Sequence, residues 1–230
     1  MKRPATPQST FDKVAPYYDF MNSFLSFGID RRWRRKVAYL LSDIQQGYVL
    51  DIATGTGAVA ISVAKHLPQV KIIGCDINQS MLEIAQNRIH KNKLQERVKL
   101  EKVNGEKLPY EDNYFEAVTI AFAIDDMDDR DGCAKEMFRV LKPGAKLVLL
   151  ELSMPEKGFA KSAYQKYLKV FPLIRKLVKK ANYNHVQKEI LKYQGQKNIE
   201  ELLEKTGFID YSFQKLTAGI ATLHSVQKPT

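Results

Sequence analysis

The run Asp51-Ile52-Ala53-Thr54-Gly55-Thr56-Gly57 constrains this chain more than any other feature. It follows the apolar stretch Tyr48-Val49-Leu50 and opens a segment, Ala58 to His66, with helical spacing that stops at Pro68. A strand, a glycine turn and a helix in that order make a βα unit whose turn faces a ligand. Glycine lets the backbone pass close to that ligand where a Cβ would clash. The next strand, Lys71-Ile72-Ile73-Gly74-Cys75-Asp76, ends on an acid. From there a carboxylate accepts both hydroxyls of a ribose.

The alternation continues. Asn78 or Ser80 caps a helix whose Met81, Ala85 and Ile89 share a face. Val98 to Val103 and Ala117 to Phe122 read as strands, and Gly132 to Val140 as a helix. Lys142-Pro143-Gly144 turns into the strand Lys146 to Leu152. Alternating strands and helices predict an α/β fold, a Rossmann-like parallel sheet with helices on both faces. Beyond residue 155 the rhythm changes. A basic, aromatic stretch precedes the helix Lys197 to Thr206, which Gly207 stops. Ile209 to Leu216 and Gly219 to Val226 then read as an antiparallel hairpin joined through Thr217-Ala218. The expected layout is a disordered tail over 1–10 and a single domain over 11–230. Within it lie an N-terminal helical lid (11–45), a ligand-binding core (46–155), a basic aromatic insertion (156–195) and a final helix with its hairpin (196–228).

Composition narrows the class. The 230 residues are 44% hydrophobic and 27% charged, which excludes collagen-like and wholly disordered chains. No apolar run approaches the roughly 20 residues that span a bilayer. The N-terminus, Met1-Lys2-Arg3-Pro4, has no apolar stretch behind its charges and does not read as a signal peptide. Cys75 and Cys133 are isolated, giving neither a zinc spacing nor a disulfide framework. They read as buried thiols of a cytoplasmic protein. The net charge of +10 invites anionic partners. It concentrates in Arg31-Arg32-Trp33-Arg34-Arg35-Lys36 and in residues 161–180.

Two ligand classes fit the glycine turn. Gly55-Thr56-Gly57-Ala58-Val59-Ala60 matches the GxGxxA form of a dinucleotide fingerprint. Asp51 argues against it, because a carboxylate repels the phosphates such a site must hold. An acid before the glycines suits a cationic ligand instead. S-adenosyl-L-methionine is one, carrying an ammonium and a sulfonium and no phosphate. Asn104-Gly105-Glu106, then Leu108-Pro109-Tyr110 and Phe115, supply a third feature that resembles the adenine-holding segment of class I methyltransferases.

The chain also resembles the UbiE/MenG family of quinone-biosynthesis C-methyltransferases, from about Phe11 to about Val226. The resemblance rests on the stretches 11–22, 25–34, 76–82 and 138–144, on Leu150-Glu151-Leu152-Ser153-Met154-Pro155, and on Leu216-Thr217-Ala218-Gly219-Ile220-Ala221. It implies a seven-stranded class I fold and transfer of a methyl group from S-adenosyl-L-methionine, without a metal, to a ring carbon of a polyprenylated hydroquinone. It further implies that Thr56, Asp76, Asn104 and Gly105 contact the cofactor. Ala121 stands where the family usually has a serine that does so. Tyr17, Tyr18 and Met21 would lie in the N-terminal lid. With the turn residues Asp51, Ala53, Thr54, Gly55 and Gly57 and their neighbours Ile77, Met81, Glu106 and Phe122, these make up the expected cofactor site, Tyr18 and Met21 included.

Two departures fall on the expected substrate side. After the fourth strand the family usually reads Ser-Phe-Gly-Leu-Arg-Asn; here the run is Ala121-Phe122-Ala123-Ile124-Asp125-Asp126. That reverses the local charge, an effect on the order of several kcal/mol in a partly dry pocket. The second is Lys192-Tyr193-Gln194-Gly195, in place of a short proline-containing turn. A ring carbon becomes nucleophilic when the adjacent hydroxyl loses its proton, so a base must lie within hydrogen-bond reach. Asp125, Asp126, His224 and Tyr18 are the candidates, with Asp125 first. The alternative for Asp125-Asp126-Met127-Asp128-Asp129-Arg130-Asp131 is a solvated acidic helix start, and the run lacks calcium-loop spacing. His66 and His90 read as surface residues, and His185 as a candidate pocket residue.

Tyr167, Val170, Phe171, Ile174, Leu177 and Val178 recur at three- and four-residue steps, beside a stripe of Lys169, Lys176 and Lys180. Pro172 is expected to split this segment into two short helices. A lid with a basic face, or contact with anionic lipid headgroups from a peripheral position at the membrane's inner face, both follow. The Arg31–Lys36 cluster reads as an ordinary packed helix around Trp33, and no nucleic-acid partner is expected. A homodimer stays open. Other readings are methyl transfer to a cationic small molecule, and a non-catalytic cofactor-binding subunit of a quinone-synthesis complex.

Overall fold

The computed structural model describes residue 26 and residues 28–155, 158–175 and 196–230. The expected lid residues Tyr17, Tyr18 and Met21 lie outside these, as do Lys176, Lys179, Lys180, His185 and Lys192-Tyr193-Gln194-Gly195.

The elements are, in order, α1 (Asp30–Leu40), β1 (Gly47–Ile52), α2 (Ala58–His66), β2 (Val70–Asp76), α3 (Gln79–Lys91), β3 (Val98–Lys102), β4 (Phe115–Ala121), α4 (Arg130–Val140), β5 (Leu141–Leu152), α5 (Gly158–Arg175), α6 (Gln196–Thr206), β6 (Ile209–Leu216) and β7 (Ala221–Gln227). They build a seven-stranded sheet in the order β3-β2-β1-β4-β5-β7-β6. β1 through β5 pair in parallel, and β7 runs antiparallel to both β5 and β6. The predicted α/β class and the closing hairpin are both present.

Alternation along the strands sends side chains to two cores. Val49, Val148, Leu150 and Leu223 pack with α1, α2 and Ile89 of α3 on one face. Leu50, Ile52, Leu147, Leu149 and Val226 pack with α4 and α6 on the other. A strand buried on both faces reads as a continuous apolar run, which is why β1 and β5 stood out in the sequence. In α1 the buried residues are Asp30, Trp33, Arg34, Val37 and Ala38, a single stripe at steps of three and four. Trp33 Nε1 donates to Thr217 Oγ1 at 2.9 Å, tying α1 to the link between β6 and β7.

Two expectations are corrected. Lys142-Pro143-Gly144 is not a separate turn before the strand. β5 starts at Leu141, and its pairing with β4 shifts register between Phe115 and Ala117 to absorb the left-handed Gly144. Nor does Pro172 split its helix: α5 runs unbroken from Gly158 to Arg175. Proline removes only its own N–H from the ladder, and the other hydrogen bonds of a long helix can carry it past one such loss. Among the described residues no helix is long and apolar enough to cross a membrane.

Candidate cofactor and methyl-transfer site

β1 and β4 are neighbours whose following helices, α2 and α4, leave toward opposite faces of the sheet. The strand order reverses there, and ligands of open α/β sheets bind in the crevice that results. The backbone at this edge is unusual. Ala53 after β1 and Phe122 after β4 both take left-handed conformations without being glycine, at φ 49° and 58°. Such geometry costs on the order of 1–3 kcal/mol each and persists only where surrounding bonds enforce it. Here Thr54 N–H donates to the Cys75 carbonyl at 2.9 Å, and Phe122 N–H to the Leu150 carbonyl at 2.8 Å. The cleft between them is open to solvent and is lined by Asp51, Ala53, Thr54, Gly55, Thr56, Ala58, Val59, Ala121, Phe122 and Arg34. Seven of the residues expected to hold a cofactor thus meet in one place.

The glycine turn is built by two carboxylates. Asp51 is only 1% exposed, and both of its oxygens are engaged. Thr119 Oγ1 donates to Oδ1 at 2.6 Å, while Thr54 Oγ1 and Ala60 N–H donate to Oδ2 at 2.6 and 3.2 Å. Burial raises its pKa to about 6 against the lowering effect of these bonds. The sequence reading offered this acid to a cationic ligand; the structure adds that its hydrogen bonds hold the turn, while the residue lines the cleft. Asp76 accepts Gly55 N–H on Oδ2 and Asn78 N–H on Oδ1, each at 2.8 Å. Burial raises its pKa and backbone bonds oppose the rise. The Ile77 amide bonds the same carboxylate, whose two oxygens offer about four lone-pair sites in all. Gly57 sits at φ 74°, where a Cβ would come within 3.2 Å of Ala85 Cβ, so this turn and α3 pack at glycine distance.

Ile77, beside Asp76 at the end of β2, is 48% exposed and presents an apolar surface there. Met81 is buried in the first turn of α3, where the Asn78 side chain caps its N–H. Asn104 is exposed with its Oδ1 accepting Glu106 N–H at 2.9 Å. Gly105 is buried where a Cβ would fall 2.6 Å from Ile52 Cγ2. Glu106 instead accepts the Asp128 and Asp129 amides, at 2.7 and 3.1 Å, and so anchors the loop after β4. An open glycine turn, a carboxylate at the strand end and an exposed apolar neighbour suit a ribose bearing a flat base. The residues present therefore fit a nucleoside-linked cofactor.

The acidic run divides its labour. Asp129 caps α4 by accepting Gly132 N–H at 2.9 Å. Asp131 pairs with Lys205 at 3.2 Å, and Asp125 with Arg130 at 3.0 Å. Asp125 is partly buried in a short 3-10 turn, and Asp126 is exposed beside it. Asp125 is therefore not the first turn of a solvated helix.

His224 is placed elsewhere. It pairs with Leu149 from the middle of β7, the strand next to the β6 edge, on the face opposite α1 and α2. It is fully buried; Nδ1 meets Tyr211 Oη at 2.9 Å and Nε2 meets Thr222 Oγ1 at 3.1 Å. Burial lowers its pKa to about 4. With both ring nitrogens engaged and the strand edge three residues away, His224 does not face the cleft; the expectation of a catalytic role is corrected.

Two residues were missed. Glu151, at the end of β5, is buried and accepts the Ala123 and Ile124 amides at 3.3 Å each, fixing the loop that carries Asp125. Burial first, then the Asp125 and Asp126 charges, push its pKa well above the usual range. Arg34 is 8% exposed and lines the cleft, its guanidinium carbon 5.9 Å from the centre of the Phe122 ring. The signal for Arg34 was its place in the apolar stripe of α1, four residues after Asp30.

Known proteins resemble this chain in sequence and in fold. The chain is 38% identical over 221 residues to the "Ubiquinone/menaquinone biosynthesis C-methyltransferase UbiE" of Geobacter sulfurreducens, covering 95% of this chain and 86% of that one. It is 35% identical to the "Demethylmenaquinone methyltransferase" of Bacteroides fragilis, covering 99% and 94%. A putative S-adenosyl-L-methionine-dependent methyltransferase of Methanococcus maripaludis superposes with a TM-score of 0.71 at 20% identity, covering 100% and 98%. A phosphoethanolamine N-methyltransferase of Haemonchus contortus, solved with S-adenosyl-L-methionine, gives 0.64 at 19% identity, covering 86% and 53%. The fold is thus that of the class I S-adenosyl-L-methionine-dependent methyltransferases. Residues 3–228 match one family description from end to end, and the chain belongs to the ubiE/COQ5 methyltransferase family.

Proposed function

We propose that this methyltransferase methylates a ring carbon of a lipid-soluble hydroquinone, a demethylmenaquinol-type acceptor or a ubiquinol precursor. The reading rests on the cleft at the β1–β4 switch point, in a chain whose relatives bear quinone-biosynthesis names. S-adenosyl-L-methionine, when bound, supplies an electrophilic methyl group. Asp76 would hold the ribose hydroxyls, Ile77 the flat base, and the Gly55–Gly57 turn the remainder against α2. Ala121 and Phe122 would face the acceptor side. The chain's own task is to orient the acceptor ring and exclude water, since an in-line displacement gains most from alignment. Asp125 would take the proton of the ring hydroxyl, with Arg130 fixing its carboxylate and Glu151 fixing its loop.

Contact with an anionic membrane surface belongs to the same proposal. In α5, Tyr164 is buried against the core, while Phe159 is 90% exposed and Lys166 is exposed. An aromatic side chain and lysines on one helix suit a lipid headgroup layer, where a quinol would be met.

The test is turnover of methyl-labelled cofactor with a panel of demethylmenaquinol, ubiquinol precursor, amines and RNA. Label on a quinol ring carbon is expected. Label only on an amine or RNA, or on nothing, would overturn the reading.

A further inference from the structure

Arg34 is a buried cation inside the cleft, and nothing in the reading above uses it. Its carrier, α1, lies outside the strand–turn–helix units that form the rest of the cleft. Ser26 Oγ donates to Asp30 Oδ1 at 3.1 Å and accepts Asp30 N–H at 3.2 Å. Asp30 Oδ2 in turn accepts from Arg34 Nη1. All three residues are buried. Among the described residues this chain engages one nitrogen of the guanidinium, and the rest of the planar fork suits a second acid.

Asp76 joins the glycine turn at the Gly55 amide. Arg34 lines the cleft with Thr54, Thr56, Ala58, Val59 and Phe122. α2 starts there, and its capping residue Gly57 offers no side-chain bond to the first amides. A guanidinium beside those amides attracts an anion, and the fork matches a carboxylate best. Of the groups on S-adenosyl-L-methionine, only the amino-acid carboxylate is anionic.

We propose that Arg34 binds the carboxylate of the cofactor's amino-acid portion, with Asp30 and Ser26 as its positioning residues. The assignment rests on the cofactor reading above. It gives α1 a role in holding the donor as well as in packing.

The experiment compares two ligands by calorimetry: S-adenosylhomocysteine, which carries the carboxylate, and 5′-methylthioadenosine, which lacks the amino-acid portion. Removing Arg34 alone would strand the buried Asp30 charge, so the main variant is Asp30→Asn with Arg34→Gln, which removes both charges. Arg34→Lys keeps the charge and loses the fork. The double variant is expected to lose about 10- to 100-fold in affinity for S-adenosylhomocysteine, the usual effect of deleting a charge-assisted hydrogen bond. Its affinity for 5′-methylthioadenosine should stay within about twofold, and Arg34→Lys should fall between. Equal loss for both ligands, or no loss for either, would overturn the proposal. Binding of both ligands by the parent protein keeps the cofactor reading intact whatever the variants do; failure of the parent to bind either would sink that reading itself.

Discussion

Thr119 and Asp51 face each other across the β1–β4 pair, and the threonine hydroxyl donates to Asp51 Oδ1 at 2.6 Å. This bond sits under the glycine turn and joins the two strands that flank the cleft. Thr119→Val keeps the shape and removes the donor. It should cost about 1–3 kcal/mol, the usual result of stranding a buried acceptor, measured by urea unfolding at pH 7. A change under half of the lower figure would show that Asp51 finds another donor.

The same carboxylate sets a pH dependence. Asp51 titrates near pH 6 in the fold against about 3.8 when unfolded. Between those values the native state holds a proton that the unfolded state has released. The stability this group confers is complete below about pH 4 and is lost as pH rises through about 6. His224 acts oppositely. Its pKa falls from 6.5 to about 4, so acid favours the unfolded state across the same window. The two slopes offset each other in the parent. His224→Phe should therefore make stability fall more steeply from pH 4 to 6.5, while Asp51→Asn should make it rise. Unfolding free energies at half-unit pH steps would show this; parallel curves for all three proteins would refute it.

Gly57→Ala puts a Cβ 3.2 Å from Ala85 at a left-handed φ of 74°. The strain should cost about 1–2 kcal/mol and lower the melting temperature by a few degrees. Cofactor affinity should fall as well, because α2 must move away from α3. An unchanged melting temperature would mean the turn has room the structure does not show.

Much of this was readable beforehand, for physical reasons. Strands buried on both faces announce themselves as unbroken apolar runs, and Gly55, Gly57 and Asp76 occur at the spacing their chemistry requires. What escaped the sequence depends on three-dimensional pairing. His224 sits in the final strand like any edge-facing residue until the register puts it opposite Leu149. Arg34 is hidden in a run of five cations, and only the packing of α1 turns that one inward. Glu151 reads as one more strand residue until the Ala123 and Ile124 amides converge on it. Pro172 misled because helix rules describe a tendency, and α5 continues through it to Arg175.

Asp76→Ala should weaken S-adenosylhomocysteine binding by roughly 1.5–3 kcal/mol, the range for bonds to a charged acceptor. The loss has two sources, since Asp76 also holds the Gly55 and Asn78 amides. Asp76→Asn keeps one acceptor oxygen and should recover part of it. Calorimetry on both variants separates the sources. Unchanged affinity in Asp76→Ala, or tight binding of NAD by the parent, would remove Asp76 from the cofactor site.

The last prediction concerns the charge after β4. Asp125 is partly buried and paired with Arg130 at 3.0 Å, in a loop anchored by Glu151 and Glu106. If Asp125 is the base, Asp125→Asn should lower turnover about 10²–10⁴-fold and leave cofactor affinity nearly unchanged. If the acidic pair instead repels the usual quinol, Asp125→Arg with Asp126→Asn should raise quinol methylation, because it supplies the cation that the sequence resemblance leads one to expect there. The Arg130 partner sharpens the choice. Arg130→Gln frees the Asp125 carboxylate to rotate, which should slow a reaction that needs it aimed and should leave a merely repulsive pair as effective as before. The two readings move turnover in opposite directions, so single-turnover assays on these variants separate them. Turnover unchanged in all three would show that Asp125 serves only its ion pair with Arg130, and that the base lies elsewhere in the cleft.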